Sequence, residues 1–148
     1  MASPAAAPDD QATLDTEEEI RFIQEALDEA VRANRVLVEY LDDATLPAIG
    51  QALRRFRPHL LHYTGHGIFQ QEQGRSFLAL ETEAGRTKLA GIEELRPYLA
   101  EAAELRLIFL SGCQTAQTSP DDAFSGVATG LLEGHVPAVL AMQFSVLD

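Results

Sequence analysis

The stretch P-H-L-L-H-Y-T-G-H-G, Pro58 to Gly67, joins an apolar start to a glycine-rich end. That is the pattern of a buried parallel strand over His59–Thr64 feeding a loop. A second run, L-I-F-L-S-G-C-Q-T from Leu107 to Thr115, has the same layout: Leu107–Leu110 is the most apolar strand of the chain, and it leads to Cys113, the only cysteine. A histidine motif and a cysteine motif therefore each close an apolar run.

Outward from these runs, strands alternate with helices. The Ala/Pro/Asp-rich residues 1–13 predict a flexible tail, and Thr16 with Glu19 forms a capping-box pattern opening a helix on which Ile20, Ile23, Leu27 and Ala30 share a face. The acids around it, Asp15, Glu17 and Glu18, read as a solvated helix start. Val36–Leu41 predicts a strand stopped by D-D-A-T, and Leu46, Ile49, Leu53 and Phe56 predict a helix ended by Pro58. Phe77–Leu80 and Thr87–Leu89 predict a hairpin turning at Gly85, followed by a short helix marked by Ile92, Leu95 and Leu99. Beyond the cysteine, Phe124, Val127, Ala128, Leu131 and Leu132 predict a helix closed by Gly134, and a last strand starts over Pro137–Met142. The alternation predicts an α/β fold with a parallel sheet flanked by helices. In such sheets ligands bind beyond the carboxyl ends of the strands, where His66 and Cys113 both fall.

A chain of 148 residues predicts one domain, and 46% hydrophobic with 23% charged residues is the composition of a soluble globular protein. The formal net charge of −12 repels phosphate backbones and argues against direct nucleic-acid binding. Arg54, Arg55 and Arg57 read as the wet face of a helix. No run approaches the roughly 18 apolar residues of a membrane span, and M-A-S-P-A-A-A-P-D-D-Q lacks the basic start and apolar core of a signal peptide. A lone cysteine cannot close an internal disulfide, and a thiol nucleophile fits a reducing cytoplasm.

Cysteine attacks as the thiolate, and a neighbouring histidine controls its proton and protonates the leaving amine. His66 and Cys113 stand 47 positions apart, near the roughly 50 between the upstream histidine and the cysteine of caspases. His62 and His66 are spaced like a helical metal pair. On a strand rising about 3.3 Å per residue their imidazoles lie about 13 Å apart, too far to share an ion. No metal and no cofactor is expected, and His59 and His135 read as surface turn residues.

These motifs resemble the CHAT domain, a caspase-like cysteine peptidase domain in the clan of caspases and separases that is often found with tetratricopeptide repeats. The resemblance rests on His62, Gly65, His66 and Gly67, on Gly112, Cys113, Thr115 and Ala116, and on F-S-G-V-A-T-G-L-L-E-G-H-V-P-A-V-L-A-M-Q from Phe124 to Gln143; it covers roughly Leu14 to Asp148. It implies a caspase-like α/β/α sandwich and an endopeptidase with a dyad of His66 and Cys113, His62 being structural. It also implies oxyanion donors at the N–H groups of Gly67 and Cys113, where glycines at 67 and 112 admit a substrate backbone. No acidic third member is assigned. A prokaryotic, cytoplasmic protease acting on protein or peptide substrates is implied, controlled by a regulatory partner or repeat domain, with no membrane contact. The family pattern carries a first strand and a closing helix and strand that these ends do not display. Residues 14–148 are therefore expected as a partial domain, marginally stable or self-associating and weak in cleavage by itself.

Ser111 stands two before the cysteine, where arginine- and lysine-specific metacaspases carry aspartate, so their preference is not transferred. Ser111, Gln143 and Asp42 are the candidate substrate-pocket residues; Asp43, Asp121 and Asp122 fit loop solvation as readily. Two other classes stay open. One is a caspase-like scaffold that binds a partner with its dyad unused. The other is a nucleotide-binding doubly wound domain, against which the lack of G-x-G-x-x-G and G-x-x-x-x-G-K-[ST] counts.

Overall fold

The two apolar runs that lead to the histidine and cysteine motifs are neighbouring strands. The computed structural model describes residues 10–111, 120–134 and 136–141. Along the chain it places α1 (Asp10–Arg32), α2 (Leu46–Phe56), β1 (Leu60–Thr64), β2 (Gly67–Gln70), β3 (Arg75–Glu81), β4 (Thr87–Ala90), α3 (Ile92–Ala100), β5 (Leu107–Ser111), α4 (Pro120–Glu133) and β6 (Val139–Ala141). A parallel sheet has the order β1-β5-β6, and an antiparallel sheet has the order β2-β3-β4. This is the expected α/β fold, a parallel sheet flanked by helices.

Strand side chains alternate between faces. Register pairs Leu61 with Ile108 and Tyr63 with Leu110, and these side chains join Ile49 and Leu53 of α2, Leu95 of α3 and Phe124, Val127 and Leu131 of α4 in one core. Close approach explains two glycines: a Cβ on Gly50 of α2 would stand 2.8 Å from Tyr98 Cε1 of α3, and one on Gly130 of α4 would stand 3.0 Å from Ile92 Cγ1. The opposite sheet face carries Leu60, His62, Thr64, Phe109, Ser111 and Leu140. At its amino end Leu60 is 51% exposed, whereas at its carboxyl end His62, Thr64 and Ser111 are buried.

Local chemistry accounts for most boundaries. Thr45 caps α2 by accepting the Ala48 N–H at 3.2 Å, and the left-handed Arg57 before Pro58 ends it. The predicted hairpin is β3–β4, with Gly85 at φ +69°. Arg54, Arg55 and Arg57 are the wet surface expected, pairing with Glu101, Glu39 and Glu104.

Three expectations are corrected. Helix α1 begins at Asp10, inside the stretch expected as a tail, so Thr16 is a helix-interior residue and not its cap. Val36–Leu41 is not a strand: Val36–Tyr40 run without ladder assignment, Leu41 makes only a bridge, and Leu37 is 73% exposed. A β-branched run becomes a strand only where an edge receives it, and among the described residues β1 is paired on its β5 side alone. Finally, β2 extends the G-H-G motif directly into an antiparallel strand, turning into β3 through Gln71–Gly74 with Gly74 at φ +59°.

Candidate active site

The last registered pair of β1 and β5 is Thr64 with Ser111, and the ladder runs one step further where the Gly65 N–H donates to the Ser111 carbonyl at 3.0 Å. His66 follows Thr64 by two residues, and Cys113 follows Ser111 by two.

The backbone of His66 is held on two sides. Its carbonyl accepts the Ala79 N–H at 2.9 Å and the Tyr63 hydroxyl at 3.2 Å, and the same hydroxyl lies 2.8 Å from the Ala79 carbonyl. Burial pushes the Tyr63 phenol well above its ordinary range, so it remains a donor at physiological pH. A Cβ on Gly65 would stand 2.7 Å from Tyr63 Cζ, which is why glycine precedes the histidine. The Ala79–His66 bond also makes Gly67 and Leu78 a non-hydrogen-bonded pair of the antiparallel ladder. The Gly67 amide therefore points away from β3.

Beneath these strand ends lies a buried polar network. His62 Nε2 is 2.8 Å from Ser111 Oγ, Thr64 Oγ1 is 3.0 Å from the same oxygen, and Ser111 Oγ donates to Glu19 Oε1 of α1 at 2.9 Å. The His62 ring stacks on Phe109 with centroids 4.6 Å apart. Burial lowers the His62 pKa, with the Glu19 charge opposing. A hydroxyl has one hydrogen, and a carboxylate is its strongest acceptor here. With that hydrogen directed to Glu19, His62 carries its proton on Nε2 and Thr64 donates to Ser111. The core cavity nearby, about 30 Å³ between Tyr63, Leu95 and Leu131, is apolar and too small for a ligand.

The family model of the CHAT domain matches residues 5–148. The chain belongs to the CHAT domain family. No curated protein matches it significantly. The CHAT domain is a caspase-like domain of the cysteine-peptidase type, which agrees with the parallel sheet and with the motifs at its strand ends.

In this CHAT domain the residues singled out from sequence fall in different places. His66 and Gly67 stand together where β1 passes into β2. Cys113, Gly112 and Gln143 lie outside the described residues, as do the side chains of Asp121 and Asp122. Ser111, expected at the substrate pocket, is only 2% exposed, and its hydroxyl is engaged with Glu19, His62 and Thr64. It lies on the sheet face opposite the core and is covered where Glu19 of α1 meets the strand end. Asp42 is exposed on the loop that pairs Thr45 with Glu81 of β3, and among the described residues no hydrogen bond or ion pair joins it to His66 or Ser111. Glu19 and Thr64 were not legible as site residues. The available signal for Glu19 was its spacing: with Ile20, Ile23, Leu27 and Ala30 it lies on the half-buried stripe of α1.

Proposed function

We propose that this CHAT domain is a cysteine endopeptidase in which His66 and Cys113 form the catalytic dyad. One observation carries the reading. From Leu60–Leu107 to Thr64–Ser111, every registered pair of the two parallel strands is offset by the 47 positions that separate His66 from Cys113. Parallel neighbours lie about 4.8 Å apart, so two chains leaving a registered pair for the same number of residues start from one place.

The Cys113 thiolate attacks the scissile carbonyl carbon, forming the C–S bond while the carbonyl electron pair moves onto oxygen. The N–H groups of Gly67 and Cys113 stabilise that oxyanion. His66 in its protonated form gives its proton to the leaving amine as the C–N bond breaks, leaving a thioester. His66 then takes a proton from the attacking water, and collapse of the second tetrahedral intermediate returns the thiolate and releases the acid. Substrates are peptide bonds in proteins, and a regulatory partner or adjoining repeat module controls access. The lone thiol suits a reducing cytoplasm. Among the described residues no helix is long and apolar enough to cross a membrane.

A panel of fluorogenic peptides tests the reading. Turnover is expected to fall by several orders of magnitude in Cys113→Ala and in His66→Ala, because members of a catalytic unit fail together. Cleavage that survives Cys113→Ala contradicts it.

A further inference from the structure

Among the described residues Glu19 is the acidic side chain in contact with the buried strand-end network, and it stands on a helix, 92 positions before Ser111 in sequence. Its Oε1 accepts the Ser111 hydroxyl at 2.9 Å and stands 3.6 Å from His62 Nε2, too long for a second hydrogen bond but close enough for the charge to act on the ring. Thr64 ends β1 two residues before His66 in the sequence, and Ser111 ends β5 two residues before Cys113. Their hydroxyls meet at 3.0 Å, and Thr64 Oγ1 is 3.4 Å from His62 Nε2. Besides Glu19, the Ser111 hydroxyl has Thr64 Oγ1 at 3.0 Å and the Tyr63 carbonyl at 3.4 Å in reach as acceptors, both neutral. Loss of the Glu19 carboxylate would turn the hydroxyl toward one of these neutral acceptors and remove this tie between α1 and the sheet end.

We infer that Glu19 is a positioning residue: by accepting the Ser111 hydroxyl beside His62 it fastens α1 to the ends of β1 and β5, so that docking of α1 sets the reactivity of Cys113. The inference rests on the dyad reading above and deepens it by assigning the dyad's control to α1. Glu19 does not touch the reacting atoms and acts through Ser111. Helix α1 holds no fully buried side chain among its described residues, so a hydrogen bond from a buried hydroxyl to a carboxylate is a large share of its attachment. A helix whose described side chains are at most half-buried and which meets the sheet end through Glu19 is an element that a partner can lift or press home.

The test uses the full chain and its single thiol. Alkylation of Cys113 by iodoacetamide at neutral pH is followed by mass and normalised to the rate in the denatured chain. Amide hydrogen exchange across Glu18–Arg32 and Thr64–Gly67 is measured on the same samples. Glu19→Ala and Ser111→Ala are each expected to lower the normalised rate about tenfold and to speed exchange in α1. Glu19→Gln, whose amide oxygen accepts the same bond, is expected to restore the rate to within about twofold of wild type. Glu25→Ala, at an exposed site of the same helix, should change neither readout. An activated wild-type thiol that Glu19→Ala leaves untouched overturns the inference alone, including the case in which exchange quickens while reactivity does not. A wild-type thiol no more reactive than in the denatured chain overturns the dyad reading itself.

Discussion

At the residue scale, the backbone of the candidate histidine is set by an aromatic side chain and a glycine. Tyr63 donates its hydroxyl beside two carbonyls and lies under Gly65, so the ring, the glycine and the His66 carbonyl form one packed unit. Gly65→Ala places a methyl group inside the van der Waals distance of the phenol, and it should destabilise the fold by about 1–3 kcal/mol in urea denaturation. Tyr63→Phe keeps the ring and removes the donor, for an expected cost of about 1–2 kcal/mol. A second prediction follows from His62. Burial lowers its pKa beneath the ordinary 6.5, so the unfolded chain binds that proton more tightly than the native state does. Its contribution to stability is whole above about pH 6.5, declines as pH falls below that value, and levels beneath the native pKa. Urea midpoints between about pH 8 and about pH 5 should show this decline in wild type and a shallower one in His62→Gln. An acid limb of equal slope in both proteins would count against a buried neutral imidazole.

At the scale of elements, burial separates neighbours on α4. Leu131 is 2% exposed within the core and Leu132 is 51% exposed. Leu131→Ala should cost about 2–5 kcal/mol, and Leu132→Ala should stay within about 0.5 kcal/mol, as read from thermal or urea unfolding of the two variants. The same contrast explains what was legible in the sequence. α2, α3, β1, β5 and the β3–β4 hairpin announce themselves through local signals: the helical spacing of Leu46, Ile49, Leu53 and Phe56 up to Pro58, that of Ile92, Leu95 and Leu99, the run L-I-F-L, and Gly85 in a turn. Val36–Leu41 carries the same apolar, β-branched character as the true strands, but pairing depends on a neighbour that the run itself does not encode. β2 is short and begins at the glycine of a loop-like motif, so its strand character shows only through the Gln71–Gly74 turn back into β3. His66 and Gly67 could be named because histidine between glycines at a strand end is a local pattern. Glu19 could not, because its partner lies 92 residues away.

At the scale of the whole molecule, charge and register act over longer distances. The formal net charge of −12 places repulsion across the whole surface, while the ion pairs, such as Arg54–Glu101 and Arg57–Glu104, are solvent-exposed and individually weak. Screening should relieve more repulsion than attraction, so the thermal midpoint is expected to rise by a few degrees between about 0.01 M and about 0.2 M sodium chloride. A midpoint that falls with salt would mean that the ion pairs outweigh the net charge. Register is the larger consequence: the pairs Leu60–Leu107 through Thr64–Ser111 are offset by 47 positions, the number that separates His66 from Cys113 in the sequence, and the proposed dyad rests on that equality. The most direct test of that claim is the pH dependence of Cys113 alkylation in the wild-type chain and in His66→Ala, read without ambiguity because the chain has one cysteine. An activated thiolate predicts a wild-type midpoint below the ordinary thiol value of about 8.5 and a return toward about 8.5 when His66 is removed. A wild-type midpoint at or above about 8.5 that His66→Ala leaves unchanged would contradict the dyad.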